Sequence, residues 1–290
     1  MTIYRFATMF PDEMRARLET RPLLVMPLGT LEWHSYHAPL GLDGLVAQAL
    51  SERIADLTDG VVTPTSYWAV GGVPFPYTLR LPIPLIEPLL RTLFEQFAAM
   101  GFQVIVAFTG HFGLDQTLAL KRSAVEAMRQ SSVTILPLTE YDLTTDHGYL
   151  GDHAATGETS LLWALAPELA RVQDIPRHIP LDGVIGDDPR ETASSEFGAE
   201  LAQVITTRTA DWALRLLQRT TPAERGDYLE ALSVAAQALE ATAAQRRVLP
   251  KASAPPITTP AYVAYCDALY RGDYRAAKAH AERKLAVLSN

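Results

Sequence analysis

Short apolar runs alternate with longer amphipathic segments through the first two thirds of the chain. The short runs are rich in β-branched residues and are bounded by Gly, Pro, Thr or Ser, as expected of strands buried on both faces. The segments between them repeat apolar residues every three or four positions, which predicts helices with one face on a core. The predicted strands are RPLLVMPLG (21–29), VVTPTSYWAV (61–70), QVIVAFTG (103–110) and VTILPLT (133–139), and the predicted helices are 45–57, 86–101 and 114–130.

This alternation predicts an α/β protein with a mostly parallel sheet covered by helices. In such folds, ligands bind at the carboxyl ends of the strands, where the loops diverge. The polar segments LEWHSYH (31–37) and TGHFG (109–113) both follow a predicted strand directly. They therefore lie where this architecture would place a functional site.

The alternation of strand-like and helical segments ends near residue 220. This change predicts a boundary between an α/β domain at 1–220 and a C-terminal helical extension at 221–290. Thr221 and Glu224 have the spacing of a capping box, with Pro at the first helical position. An alanine-rich helix follows at 228–247, then a Pro-rich linker at 251–260 and two further helices at 261–270 and 275–288. We expect this extension to cover the core or a neighbouring subunit.

Composition narrows the class of protein. The chain has 290 residues, 48% of them hydrophobic and 20% charged, which is ordinary for a soluble globular protein. Its formal charge of −8 argues against a nucleic-acid or anionic membrane partner. No apolar run is long enough to span a membrane, and the first residues do not have the order of a signal peptide. A cytoplasmic location and a buried, structural thiol at Cys266 are the expectations.

The segment LEWHSYHAPLGLD (31–43) crowds carboxylates and imidazoles into one loop. Glu32 and His34 point to the same side of an extended chain, where both could reach a metal ion over the strand end. Asp43, beyond a turn, could return to the same place and bridge two ions. Such mixed ligation suits zinc, manganese or iron. The alternative is a polar loop in which Asp43 caps the following helix.

Two distant segments add to the candidate set. His111 follows Gly110 at the end of a predicted strand, and GDHAATGETS (151–160) carries Asp152, His153 and Glu158 just ahead of an apolar helix. Taken alone, His111 is typical of a hydrogen-bonded structural histidine. Glu158, taken alone, fits the start of a helix.

Four motifs in order resemble the creatininase (creatinine amidohydrolase) family. Its first motif, G-[ST]-x-E-x-H-G-x-H-L-P-L-x-x-D, is similar to GTLEWHSYHAPLGLD at 29–43. N-G-H-G-G-N corresponds to TGHFGL at 109–114, and H-A-G-x-x-E-T-S to HAATGETS at 153–160. G-V-x-G-D-P corresponds to GVIGDDP at 183–189, with one inserted Asp. The match covers about residues 20–218.

The resemblance implies a three-layer α/β/α fold, a centre of two divalent metal ions and a homo-oligomer, usually a hexamer. Glu32, Asp43 and His111 would hold one ion, and His34, Asp43 and Glu158 the other. Creatininase itself has a glutamate two residues after the strand-end histidine, where this chain has a glycine. Another branch of the family lacks that glutamate and uses the E-T-S glutamate, so Glu158 is the expected ligand.

The resemblance also assigns catalytic and supporting roles. His153 would be the acid/base that passes a proton to the departing nitrogen. Asp152 would orient His153, and His37 would lie in the second shell and hold a ligand or the loop. Some family positions differ, including Ser35 and Tyr77, which stand where the family has glycine. No departure removes a proposed ligand, but the pocket lining changes; candidate lining aromatics are Trp68, Phe75, Tyr77 and Phe112.

The sequence therefore predicts a binuclear metal hydrolase of a C–N amide bond, a cyclic amide or formamide, in a small polar molecule. One alternative keeps the metals and changes the bond to a C–C, lactone or phosphoester linkage. Another is a non-catalytic scaffold that binds a partner through residues 221–290.

Overall fold

Five parallel strands form the single sheet of the described chain, in the order β1-β3-β2-β4-β5. The computed structural model describes residues 3–219, 221–249 and 256–288. The strands are β1 (Tyr4–Arg5), β2 (Leu23–Leu28), β3 (Val61–Val62), β4 (Val104–Thr109) and β5 (Thr134–Thr139). The helices are α1 (Pro11–Thr20), α2 (Leu42–Thr58), α3 (Ile83–Met100), α4 (Leu114–Gln130), α5 (Thr156–Leu165), α6 (Pro189–Thr192), α7 (Ser195–Arg219), α8 (Pro222–Val248), α9 (Pro260–Arg271) and α10 (Tyr274–Leu288).

The predicted α/β fold is confirmed, with helices on both faces of the parallel sheet. Helix α2 connects β2 to β3 on one side, whereas α3 and α4 lead in the opposite direction, to β4 and then β5. Right-handed crossovers therefore put α2 on one face and α3 and α4 on the other. Helices α5 and α7 pack with α2, and α8 packs on α4. The crevice between β2 and β4 is the point at which the connections change direction, where ligands bind in such sheets.

Two parts of the sheet differ from the prediction. The run predicted as a strand at 61–70 is a strand only at Val61–Val62, because Pro64 has no amide hydrogen to continue the ladder. The chain meets β2 again at Ser66, which forms a bridge with Leu28. Strand β1 and helix α1 were not predicted; α1 buries none of its residues, so it carries no clear hydrophobic periodicity.

Helix α8 runs antiparallel to α4 along the outside of the molecule. At its beginning, the Arg225 guanidinium donates to the carbonyl oxygens of Met128 and Ser131, at 2.6 and 2.7 Å. At its end, Arg247 pairs with Asp115 in the first turn of α4, at 3.3 Å. Its 27 residues span about 40 Å. The helix therefore reaches from the amino-terminal edge of the sheet to the edge where the strands end.

A buried polar group joins the extension to the sheet. The Asp142 carboxylate accepts hydrogen bonds from Lys121 Nζ of α4, at 3.2 Å, and from Tyr262 Oη of α9, at 3.0 Å. Cys266 Sγ lies 3.6 Å from the same carboxylate and is buried, as expected. The predicted capping box at the start of α8 is present. Part of the predicted linker, residues 251–255, lies outside the described residues, and the boundary at residue 220 stays a prediction.

Within the described ranges, no helix is both long and apolar enough to cross a bilayer.

Candidate metal centre

The carboxylates and imidazoles predicted from distant segments meet at the carboxyl edge of the sheet. The loop after β2 carries Glu32 and His34, and His111 follows the end of β4. Asp43 lies in the first turn of α2, and Glu158 in the first turn of α5. All five side chains are buried. Their position flanks the crevice between β2 and β4.

Ligand-type atoms of these residues form compact groups. In each group, one nitrogen or oxygen per residue lies within 4.8 Å of the others. One group is Glu32, Asp43 and His111, and a second is His34, Asp43 and Glu158. A third joins Glu32 and His34 to His153. The first two groups share Asp43 and are the two sets that the resemblance implied.

Backbone carbonyls orient the imidazoles of this cluster. His34 Nδ1 lies 3.0 Å from the Glu32 carbonyl oxygen, and His111 Nε2 lies 3.0 Å from that of Val70. Because a carbonyl oxygen only accepts, the nitrogen beside it carries the hydrogen. The other nitrogen of a neutral ring then presents a lone pair toward the carboxylates. Such an outer contact is the usual arrangement behind a histidine that ligates a metal.

Asp43 directs its two oxygens toward different histidines. Its Oδ1 lies 2.8 Å from His34 Nε2, and its Oδ2 lies 3.3 Å from His111 Nδ1. His34 Nε2 and both Asp43 oxygens are buried and lack an aligned hydrogen-bond partner. Buried polar atoms without partners are costly, and lone pairs facing carboxylate oxygens repel. A divalent cation on each side of Asp43 would satisfy these atoms, so the residues present fit two metal ions.

Hydrogen bonds from the backbone hold the glutamates. Glu32 Oε2 accepts the amide hydrogen of Val73 at 2.8 Å, which leaves Oε1 at 2.9 Å from His111 Nδ1. Glu158 Oε2 accepts the amide hydrogen of Ala154 at 2.6 Å. Ala154 has a positive φ of 52°, a conformation that is strained for a residue with a side chain. This turn aims the first turn of α5 at the cluster.

Two glycines allow the strand ends to approach Asp43. A Cβ atom at Gly29 would overlap the backbone of Gly44, and one at Gly110 would overlap the Asp43 carbonyl oxygen. The backbones of β2, β4 and α2 are therefore in direct contact at this point. Asp43 does not cap α2: the N-cap is Gly41, and the carboxylate faces the cluster. The capping alternative for Asp43 is wrong.

His153 joins the cluster, but Asp152 does not contact its ring. His153 Nε2 lies 2.9 Å from the Trp33 carbonyl oxygen, which holds the ring with Nδ1 toward Glu32 and Glu158, at 3.7 and 3.8 Å. The Asp152 carboxylate instead accepts the amide hydrogens of Gly157 and Glu158, at 2.6 and 3.2 Å. The group that orients His153 is therefore a backbone carbonyl, while Asp152 fixes the start of α5.

His37 lies behind the cluster. Its Nε2 is 3.0 Å from Thr159 Oγ1, on the residue that follows Glu158. Its carbonyl oxygen accepts the amide hydrogen of Arg171 at 2.8 Å. His37 thus links the loop after β2 to α5, a contact that agrees with its predicted supporting position. Burial and the nearby charge of His34 lower the pKa of His37 to about 4, so its ring is neutral.

In the absence of a cation, protons balance the carboxylates. Burial acts to lower the pKa of His111, but the negative charges of Glu32 and Asp43 outweigh it and raise this pKa to about 10. Burial acts to lower the pKa of His34, but the charges of Asp43 and Glu32 and their hydrogen bonds to the ring together outweigh it and raise this pKa. Burial, with the charge of Asp43, raises the pKa of Glu158 well above its ordinary value. Burial and the charge of His34 lower the pKa of His153.

One buried carboxyl beside the cluster was missed by the sequence reasoning. Glu140 follows β5 directly, and its Oε2 accepts a hydrogen bond from Tyr149 Oη at 3.1 Å. Burial, with the charge of Asp43, raises the pKa of Glu140 well above its ordinary value. His111 was identified because it lies just after a predicted strand. The same rule, applied to the predicted strand VTILPLT, would have identified Glu140.

A cavity of about 610 Å³ opens onto the cluster. Of the aromatic residues predicted to line it, Phe112 does so, whereas Trp68, Phe75 and Tyr77 are not among its lining residues. The C-terminal extension contributes Arg246 and residues 256–258 to its wall.

These features define the class: an α/β protein with a cluster of metal-ligand side chains at the carboxyl edge of a parallel sheet. The creatininase (creatinine amidohydrolase) family profile matches residues 7–213. The chain belongs to this family, a family of amide C–N hydrolases.

Individual relatives agree with that membership. A creatinine amidohydrolase of Pseudomonas putida is 26% identical over 185 residues, which cover 54% of this chain and 70% of the relative. A solved structure described as creatininase Mn superposes with a TM-score of 0.66 at 21% identity, and covers 76% of this chain and 100% of its own. A creatinine amidohydrolase (creatininase) crystal structure gives a TM-score of 0.65 at 22% identity, with the same coverage. These structures share the fold.

Proposed function

We propose that this chain is a binuclear metal hydrolase that cleaves the C–N bond of a cyclic amide or formamide in a small polar substrate. The observation that carries the proposal is the pair of ligand groups that share Asp43. Five buried ionisable side chains are costly to keep in a stable fold, and His34 and Asp43 also have buried polar atoms without a hydrogen-bond partner. Two cations would remove that cost.

Glu32, Asp43 and His111 would hold one ion, and His34, Asp43 and Glu158 the second. Carboxylate and imidazole ligation suits zinc, manganese or iron. Bound there, the ions would lower the pKa of a water molecule toward neutrality and polarise the amide carbonyl. Among the structural neighbours, one creatininase is described with manganese and another as a Zn–Zn type. Each metal agrees with the donor set.

His153 is proposed as the acid/base. Its ring is held through Nε2 by the Trp33 carbonyl, so Nδ1 faces the cavity side of Glu32 and Glu158. The lowered pKa leaves this nitrogen unprotonated at neutral pH. It can accept a proton from the attacking water and return it to the departing amine nitrogen. Asp152 would hold Glu158 in place by accepting the amide hydrogens of Gly157 and Glu158, and His37 would do so through Thr159.

The proposal specifies the type of bond that is cleaved and the size of the substrate molecule. One neighbouring creatininase structure is described as a complex with creatine, a small polar molecule. Metal-activated water also attacks esters and phosphoesters, so the bond is tested directly. A panel of cyclic amides, formamides, lactones and phosphoesters, offered to the metal-loaded protein, should give turnover on the amides. Turnover confined to lactones or phosphoesters would replace the amide proposal.

Metal stoichiometry tests the centre. Elemental analysis of the purified protein should find close to two divalent metals per chain. His34→Ala should lower this number, because it removes a ligand of the second ion. The matched control is His178→Ala, since His178 is an exposed histidine outside the cluster. Equal metal content in wild type and His34→Ala would contradict the assignment.

The remaining proposals concern assembly and location. We expect the protein to be a cytoplasmic homo-oligomer, a hexamer by family resemblance. Light scattering after size-exclusion chromatography measures the number of subunits. A purely scaffolding role would tolerate loss of the ligands. Turnover that disappears with His34→Ala would exclude it.

A further inference from the structure

The C-terminal extension forms one wall of the cavity that opens onto the cluster. Arg246, near the end of α8, lines this cavity together with Ile257 and Thr258, which precede α9. The family profile ends at residue 213. This wall therefore belongs to the part of the chain beyond the shared domain, and it distinguishes the pocket from one built by the family motifs alone.

A second cavity, of about 280 Å³, adjoins the first. Gly72, Gly113 and Arg246 line both cavities. Gly113 leaves the boundary between them open because it has no side chain; a Cβ atom there would lie 3.4 Å from His111 Nε2. The second cavity also receives Arg80 and Arg247. The combined space thus runs from the ligand cluster to a group of arginines.

Basic side chains line the part of this space that lies beyond the ligand cluster. Arg80 and Arg247 line the second cavity, where Arg247 pairs with Asp115 at 3.3 Å, and Arg246 lies at the boundary between the two cavities. Guanidinium groups stay charged at all physiological pH values and bind carboxylate or phosphate oxygens through paired hydrogen bonds. Three arginines and one carboxylate, Asp115, give the second cavity a net positive lining in a chain with a formal charge of −8. A substrate with an anionic group would be oriented by these guanidinium groups.

The position of Arg246 is fixed by the fold. Arg225 ties the start of α8 to the end of α4, and Arg247 ties its end to Asp115. Arg122 and Glu240 pair at 3.1 Å between these points. The helix that presents Arg246 is therefore attached along its length, and a recognition group on a rigid helix loses little entropy on binding.

We propose that Arg246, supported by Arg80, recognises an anionic group of the substrate, so that the natural substrate is an amide that also carries a carboxylate or phosphate. This inference rests on the proposed function for the position of the amide. The anionic group would lie toward the arginines while the scissile carbonyl lies at the ligand cluster. Arg246 is a specificity-determining residue in this arrangement.

Calorimetric binding to the full-length, zinc-loaded protein tests the proposal without turnover. The probes are straight-chain dicarboxylates of four to six carbons and monocarboxylates of the same lengths, which offer the cluster the same first carboxylate. At least one dicarboxylate should bind about tenfold more tightly than its matched monocarboxylate, the value of one good charge-assisted contact. The matching phosphono acids then show whether carboxylate or phosphate is preferred.

Variants assign that preference to the arginines. Arg246→Gln should reduce the difference in affinity between dicarboxylate and monocarboxylate to about threefold or less. Arg246→Lys should keep part of this difference, because lysine retains a point charge. The control is Arg271→Gln, since Arg271 is an exposed residue of the same extension that pairs with Asp267. Equal affinity for the two acid series in wild type would overturn the proposal, as would an unchanged preference in Arg246→Gln. Absence of amide turnover with an intact dicarboxylate preference would refute the proposed function alone.

Discussion

A backbone carbonyl oxygen fixes each imidazole of the cluster. For His111 and His153 this oxygen comes from a distant segment, and for His34 it comes from two residues earlier in the same loop. Glu32, Val70 and Trp33 supply these oxygens to His34, His111 and His153. The contacts set which nitrogen faces the carboxylates, and they do so before any cation arrives. Preorganised ligands of this kind lose little entropy on binding, which favours tight metal affinity.

Cation binding to the metal-free protein should release protons. At pH 7, His111 holds a proton because its pKa is raised to about 10, and the raised pKa values of His34 and Glu158 favour their protonated forms. A cation requires the unprotonated ligands, so about one to three protons should leave per chain. Titration of zinc in two buffers of different ionisation enthalpy measures this number.

The pH dependence of that release has a defined direction. The contribution of His111 should vanish as the pH rises through about 10, where the residue has already lost its proton. By the same linkage, the metal-free protein is stabilised by protonated His111 below pH 6.5 and loses this stability toward pH 10. His178→Ala should leave the proton count unchanged. A count of zero at pH 7 would show that the cluster is not protonated as described.

His153→Ala should lower kcat by about 100-fold to 10,000-fold, the range for loss of a general acid/base. The metal content should stay near the wild-type value, because five other side chains make up the two ligand groups. Steady-state kinetics combined with elemental analysis separates these effects. If the variant instead lost metal in proportion to activity, His153 would be a ligand within its group with Glu32 and His34.

At the scale of elements, helices and strands were predicted best where the hydrophobic periodicity of the sequence agrees with the burial of the side chains. Helix α4 begins and ends at the predicted residues, since its apolar residues recur at helical spacing and pack against β5, α3 and α8. Strand β3 was predicted too long because Pro64 interrupts it. The five expected metal-binding residues meet, because strand ends at one edge converge in a parallel sheet. The motif did not indicate which nearby group Asp152 would contact, and its carboxylate bonds the amides at the start of α5 rather than the ring of His153.

Lys284 of α10 secures the segment that leads into α9. Its ammonium group is buried and donates to the carbonyl oxygens of Ile257 and Pro256, at 2.9 and 3.3 Å. Lys284→Met should lower the free energy of unfolding by about 1–2 kcal/mol, since charge-assisted hydrogen bonds are lost. It should also speed amide hydrogen exchange at 257–259 and weaken dicarboxylate binding, because this segment contributes to the cavity wall.

The control for this prediction is Lys278→Met on the same helix. Lys278 pairs with Glu230 at 2.7 Å on the surface, where an ion pair contributes little. Urea unfolding and hydrogen-exchange mass spectrometry compare the two variants. Similar stability and similar exchange at 257–259 in both would mean that Lys284 does not hold the segment.

At the scale of the whole molecule, the extension and the sheet share one core. Tyr228 of α8 donates a hydrogen bond to the Ile135 carbonyl oxygen of β5 at 2.7 Å, and its ring packs against Trp212 of α7. Tyr262 of α9 completes the buried partners of Asp142. A carboxylate buried with Lys121 is costly once a partner is removed, because the remaining charge stays uncompensated. The extension is therefore a structural part of the α/β unit as well as a wall of its cavity.

The full chain should consequently unfold in one cooperative transition. Tryptophan fluorescence, to which buried Trp212 at this junction contributes, and far-UV circular dichroism should give the same midpoint in urea. A chain that ends at residue 219 should lack cooperative unfolding, since it exposes Trp212 and leaves Asp142 without Tyr262. Two separated transitions in the full chain, or a truncated protein that unfolds cooperatively, would establish the extension as an independent domain. Its contribution to the cavity would then require docking between two folded units, and the affinity for dicarboxylates would fall at urea concentrations that unfold only the extension.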